Sequence, residues 1–306
     1  VAPTVRQSAL HGASVLAWSH DDLAEAEQLA EEALALAREI GDRQAIARAL
    51  SVLANVAVER SDYARAIALH EQNLALRRDL GDKVAIASSL NNLGRIAYFR
   101  GDAAQAIVYY EESLALQREL RDHFGIALAL NNLGGALADN LQELDLATML
   151  LQESLTRSRE PGTKYFLIHF TLTHLGRVAL YAGDLERAQT TLEEGLGIAR
   201  ESQSRTGMAF ALLYLAQLAL GQTDLVKAAS FLREGLGLQR AFDEEGTGVR
   251  YLATSAALLG AQHDAVSAAS LIGAIAGLCE SAGIRLPSAY LGQHAVIVSA
   301  TRARLD

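Results

Sequence analysis

One pattern constrains this chain more than any other: an alanine that returns at an almost fixed interval. The segments DDLAEA, SDYARA, GDAAQA, ELDLA, GDLERA, TDLVKA and HDAVSA end on Ala26, Ala66, Ala106, Ala147, Ala188, Ala228 and Ala268, 40 or 41 residues apart each time. An acidic residue stands four positions before each alanine, from Asp22 to Asp264. Chance in an alanine-rich chain does not hold two residue types in register over seven copies. A regular period of this length marks an array of stacked units, each too small to bury its apolar face alone.

Each period divides into two helices. In residues 84–100, Ile86, Leu90, Leu93, Ile96 and Ala97 recur at helical spacing, and Gly101-Asp102 then breaks the chain. Asp102 is placed to accept from the free N–H groups that open the next helix. That helix carries Ala106, Ile107, Tyr110, Leu114 and Leu116. It ends at Arg121-Asp122, which matches Gly41-Asp42 and Gly81-Asp82. Composition agrees, because a chain of 306 residues that is 50% hydrophobic and has only 3 Pro is suited to a large, nearly all-helical core. Gly94, Gly134 and Gly176, with Ala54 and Ala216 in register, sit in the middle of the first helix of their pairs. A mid-helix glycine costs roughly 1 kcal/mol against alanine. It is expected where two helix backbones approach closely.

Leu93-Gly94, Gly101-Asp102, Ala106 and Tyr110 resemble the tetratricopeptide-repeat pattern, here in an extended form of about 40 residues against the family's usual 34 or so. The resemblance spans residues 1 to about 280. It implies an all-α, right-handed superhelical solenoid of seven antiparallel helix pairs, at about residues 1–41, 42–81, 82–121, 122–162, 163–203, 204–244 and 245–283. The second helix of the last pair is expected to run to about Ala282, with Gly283 and Pro287 breaking it. A C-terminal capping helix over 284–306, starting from about Ser288, is expected to cover the last apolar face. The tail also resembles the C-terminal ends of large bacterial signal-transduction ATPases and LuxR-type regulators with tetratricopeptide sensors. Ala268 to Ala274 (AASLIGA) and Leu286-Pro287 carry that likeness.

The remaining sequence features exclude more than they assign. A net charge of -9 disfavours direct nucleic-acid binding, which needs clustered Lys and Arg. The single Cys279 excludes an internal disulfide framework and a cysteine-based zinc site, and a reducing, cytoplasmic setting is the simplest expectation. No apolar run reaches the length of a membrane span, and the first residues lack the basic start and compact apolar stretch of a signal peptide. The chain begins at Val1 without an initiator Met, which suggests a piece of a longer protein. There is no GxxxxGK[ST] run and no HExxH. His169 and His174 are five residues apart, a poor spacing for two ligands on one helix face. Gly134-Gly135 and Gly246-Thr247-Gly248 follow no strand. Glu111-Glu112 and Glu193-Glu194 read as solvated helix faces. The expectation is a non-catalytic chain without metal or cofactor.

What remains is a groove. The resemblance implies that the first, or A, helices line a concave face. By register its exposed positions fall two and three residues before the mid-helix Gly or Ala and one after it. These are Ser51 and Asn55, then Asn91, Asn92 and Arg95, Asn131 and Asn132, Thr173, His174 and Arg177, and Tyr214 and Gln217. Arg48 and Arg250 stand one turn earlier. Asparagine is not placed mid-helix for propensity, and its amide can donate to and accept from a peptide backbone. Arg95 and Arg177 suit a carboxylate or other anion. The bland reading, in which the asparagines only fix repeat stacking, stays open, and Tyr98, Phe99, Phe170 and Tyr181 read as packing or groove wall. The expected function is a ligand- or partner-binding sensor in a larger bacterial regulator, with effector domains upstream in the same chain. Its ligand would be a protein or peptide, or else a small molecule. The alternative is a stand-alone scaffold that joins proteins.

Overall fold

A computed structural model describes residues 2–20, 22–60, 62–160, 166–239 and 245–282. The described residues form fourteen α-helices and no strand. They are α1 (Pro3–Ser19), α2 (Leu23–Ile40), α3 (Arg43–Glu59), α4 (Tyr63–Leu80), α5 (Lys83–Phe99), α6 (Ala103–Leu120) and α7 (His123–Leu137). Then follow α8 (Leu144–Ser158), α9 (Phe166–Tyr181), α10 (Leu185–Glu201), α11 (Arg205–Gly221), α12 (Leu225–Gln239), α13 (Glu245–Ala261) and α14 (Ala265–Ala282). They run as consecutive antiparallel pairs, an A helix (odd) followed by a B helix (even). Helix α14 is described as far as Ala282. The expected capping helix over 284–306 lies outside the described residues.

The helix starts follow from the acidic residue of each repeat. Asp102 accepts from the backbone N–H of Gln105 at 3.1 Å, and Asp62, Asp184, Asp224 and Asp264 make the equivalent bond in other A-to-B turns. Asp42, Asp82 and Asp122 do the same where a B helix hands over to the next A helix. Each cap satisfies a donor that the helix itself leaves unpaired. In four A-to-B turns the residue just before the aspartate is in the left-handed conformation. Gly101 (φ 76°) and Gly183 (φ 81°) supply it without strain, whereas Thr223 (φ 59°) and His263 (φ 68°) adopt it despite carrying a Cβ.

All seven anchor alanines are fully buried at 0% exposure. They sit where B helices press on A helices, and the mid-helix glycines do the same work from the other side. A Cβ built on Gly134 falls 2.7 Å from Leu151 Cγ, and one on Gly176 falls 2.5 Å from Leu192 Cγ. Both glycines are therefore fixed by the close approach of an A helix to its own B helix.

The chain divides into two compact units: Val1–Ile96 with Glu112–Leu120, and Ala97–Glu111 with Arg121 onward. In the first unit α1 touches α3; in the second α7, α9, α11 and α13 touch in succession. Successive B helices are bridged at the surface by long side chains instead, as in Arg159–Glu194 (3.0 Å) and Arg200–Glu234 (2.7 Å). Within each unit the A helices thus lie closer together than the B helices, so their side chains converge on the inner face.

Candidate ligand-binding face

The fourteen A-helix residues singled out by register separate into two groups. In the first unit, Arg48 and Asn55 on α3 and Asn91, Asn92 and Arg95 on α5 are all half-buried, each with part of its surface open to solvent. Their neighbours on the same helices, Leu50, Leu53, Leu90, Leu93 and Ile96, are buried. A polar stripe therefore runs along the edge of an apolar core. Ser51 belongs to the helix pair rather than the stripe, since its hydroxyl accepts from Asn73 Nδ2 at 2.6 Å. Arg95 is partly buried. Its Nε is buried without a partner, and its charge, added to burial, pushes buried His70 down to about 4. Arg48 likewise stands near His11, whose pKa is lowered by burial and by that arginine.

In the second unit the expectation of an exposed groove is corrected. Asn131, His174, Arg177, Tyr214, Gln217 and Arg250 are all buried, and only Asn132 is half-buried. The cause is convergence: consecutive A helices bring these side chains together, and they bond to one another. Asn131 Oδ1 accepts from Thr171 Oγ1 at 3.0 Å, and Asn131 Nδ2 donates to Asn132 Oδ1 at 3.0 Å. Gln217 Nε2 donates to Thr254 Oγ1 at 3.2 Å. These polar residues join α7 to α9 and α11 to α13.

The centre of the second unit is a charged node. Arg177 is completely buried and donates from Nη1 to Asp139 Oδ1 at 2.8 Å and to the Tyr98 hydroxyl at 2.8 Å; its Nη2 donates to the Gly135 carbonyl. Arg250 donates from Nη2 to Asp139 Oδ2 at 3.4 Å, and from Nη1 to Tyr98 and Tyr214 at 3.2 and 3.1 Å. Both guanidiniums also lie over aromatic faces, Arg250 at 5.1 Å from the Tyr98 centroid and Arg177 at 5.5 Å from that of Tyr214. Burial opposes the charge on Arg177, but Tyr214, Tyr98 and Asp139 more than offset it and raise its pKa further. Burial, then Arg177 and Arg250, depress His174 well below its ordinary value, so it is a neutral imidazole at pH 7. A Cβ on Gly135 would fall 2.9 Å from the His174 ring, so this glycine leaves room for that imidazole.

Two members of the node escape reasoning from register. Asp139 lies beyond the end of α7, in the turn before α8, and only the interruption of an Ala-Leu run by Asp139-Asn140 marks it. Tyr98, read from sequence as packing or groove wall, is instead the hydroxyl shared by both arginines. Tyr181 stands beside them with its buried hydroxyl unpartnered, in the field of Tyr214, Arg177, Asp139 and Arg250.

With this geometry in view, the likeness to known proteins is direct. The profile described as "Tetratricopeptide repeat" matches residues 7–79, 45–119 and 84–160, together more than half of the chain. The chain belongs to the tetratricopeptide-repeat family. A second profile, "Anaphase-promoting complex subunit 5", matches residues 138–222. Among proteins of curated function none matches. Solved structures share the fold at low identity. The apo form of RapI is 14% identical with a TM-score of 0.71, over 87% of this chain and 94% of that one. A Rap protein complexed with Competence and Sporulation Factor is 11% identical with a TM-score of 0.62, over 97% and 99%. The Rap conjugation gene regulator of the plasmid pLS20, in complex with the Phr* peptide, is 14% identical with a TM-score of 0.63, over 90% and 75%. Among the described residues of this tetratricopeptide-repeat chain, no helix is long and apolar enough to cross a membrane.

Proposed function

We propose that this tetratricopeptide-repeat chain is a peptide- or protein-binding module and that the half-exposed stripe of the first unit receives an extended peptide segment. The observation that carries the reading is the stripe itself: Arg48, Asn55, Asn91, Asn92 and Arg95, polar and partly open on helices whose buried positions are mostly Ala, Leu, Ile and Val. Amides there offer a peptide backbone both a donor and an acceptor, and the guanidiniums add charge-assisted bonds to an acidic group. A protein of the same fold holds the Phr* peptide, which supports the choice of a peptide over a small molecule. The regulator-like tail supports a sensor role, in which binding on the repeats is passed to an effector elsewhere in the same polypeptide. The reading assigns no catalytic residue, metal or cofactor.

The test starts from a random peptide library selected on the full chain. The combined variant Arg48→Ala, Asn92→Ala and Arg95→Ala should weaken a selected peptide by about tenfold or more, the loss expected from removing several hydrogen bonds of which some are charge-assisted. An unchanged Kd with intact helicity would refute the stripe.

A further inference from the structure

The charged node of the second unit is more than a structural tie. Two arginines converge on the single Asp139 carboxylate, each using a different oxygen, and one of the two bonds is long at 3.4 Å. Arg177 keeps its Nε without a partner although the residue is at 0% exposure, and the adjacent Tyr181 hydroxyl is also buried and unpartnered. Unmet donors beside a buried cation are costly in a finished core and are expected where a ligand completes the shell. The backbone positions differ in the same sense. Arg177, Tyr214 and Arg250 are fixed within helices, whereas Asp139 sits in the turn between Leu137 and Leu144, outside both α7 and α8. Its carboxylate can be withdrawn without unwinding either helix.

We propose that Arg177 and Arg250 form a carboxylate-receiving site, which Asp139 fills with its own side chain in this structure and from which a ligand carboxylate displaces it. The planar two-oxygen group that bridges the guanidiniums sets the chemistry, since each oxygen of Asp139 serves one arginine. The occupant is a peptide C-terminus or an Asp or Glu side chain, and the Arg177 Nε and Tyr181 hydroxyl are donors that Asp139 leaves unused. This site is distinct from the first-unit stripe and stands or falls without it.

The probes are N-acetylglycine, its uncharged amide and inorganic phosphate, titrated by calorimetry and by thermal unfolding into the full chain and its Asp139→Asn variant at constant ionic strength. Removing the internal competitor should tighten N-acetylglycine by about tenfold, the worth of one charge-assisted bond, and raise the variant's Tm. N-acetylglycinamide should do neither, and Arg177→Met together with Asp139→Asn should abolish the response. Equal responses to the acid and the amide, or a response to phosphate alone, would overturn the carboxylate site. If the Asp139→Asn chain does not fold at all, the same titration is made on its expression and refolding in N-acetylglycine against the amide. Recovery only with the acid supports the site, and no recovery refutes it.

Discussion

Tyr98 and Arg250, 152 residues apart in the chain, meet through a 3.2 Å hydrogen bond and a guanidinium stacked 5.1 Å from the phenol centroid. Both residues lie in the second unit, which includes Ala97–Glu111 as well as the chain from Arg121 onward. Beside this contact the Asp139 carboxylate accepts from both Arg177 and Arg250 and ties the two arginines together. The second unit is therefore closed at its centre by its own polar side chains, while the first unit keeps its polar stripe partly open.

The node makes Asp139 costly to neutralise. Asp139→Ala leaves two buried guanidiniums without their shared anion and should destabilise the chain by about 3–5 kcal/mol in urea denaturation. Arg43→Ala, which removes an ion pair to Asp79 at 2.7 Å whose side chains are 53% and 65% exposed, should change stability by less than about 1 kcal/mol. Equal losses for the two would contradict the burial argument.

Two glycine-to-alanine changes should move stability in opposite directions. Gly197 lies within α10 with nothing near its missing Cβ, so Gly197→Ala should stabilise by about 0.5–1 kcal/mol through helix propensity alone. In Gly176→Ala the new methyl meets Leu192 at 2.5 Å and its backbone nitrogen at 3.2 Å. Overpacking of about 1–3 kcal/mol outweighs the propensity gain there, and the net effect should be a loss. Thermal melts of the two variants measure both signs.

How much of this was legible in the sequence follows from what each feature depends on. The anchor alanines, the capping aspartates and the helix pairs depend on contacts that recur in every repeat, so the period reveals them. Gly134 and Gly176 were legible for the same reason. The node was not. Its members occupy different register positions in different repeats, and Asp139 stands in a turn lengthened by one residue, off the repeat pattern. Register puts Arg177 and Arg250 on A helices, but their exposure depends on what lies opposite, and that is set by how closely the A helices of the second unit converge. In the first unit, Arg48, Asn55 and Asn92 stay half-open at positions equivalent to buried Arg250, Arg177 and His174.

Thr223 carries a left-handed turn at φ 59° in the place where Gly101 and Gly183 stand in other repeats. A β-branched side chain is strained there by roughly 1–2 kcal/mol, partly offset by the greater unfolded-state freedom of glycine. Thr223→Gly should raise stability by about 1 kcal/mol, read as an increase in the urea midpoint. A decrease would show that the turn is held by contacts of Thr223 that outweigh the backbone strain.

Acid should unfold the chain earlier than a helical array without buried imidazoles. Burial pushes His169 down to about 4, and burial with the Arg95 charge does the same to His70. Their unfolded value is near 6.5, so the unfolded chain takes up protons first as the pH falls. The stability tied to each neutral imidazole is complete above pH 6.5 and is lost between 6.5 and 4, by up to about 1.4 kcal/mol per pH unit for each group. His169→Leu and His70→Leu should each flatten the fall of Tm over that window. A wild-type Tm constant from pH 7 to 4.5 would contradict the burial of these rings as neutral groups.

Photo-crosslinking tests most directly the claim that the polar A-helix stripe is the ligand face. A library-selected peptide is added to full chains carrying p-benzoylphenylalanine in place of Asn55 or Asn92 on the A helices, or of exposed Gln72 on B helix α4. The predicted result is covalent capture from positions 55 and 92, blocked by excess unmodified peptide, with none from position 72. Capture from position 72 alone would place the ligand on the outer B-helix surface and contradict the stripe as the binding face.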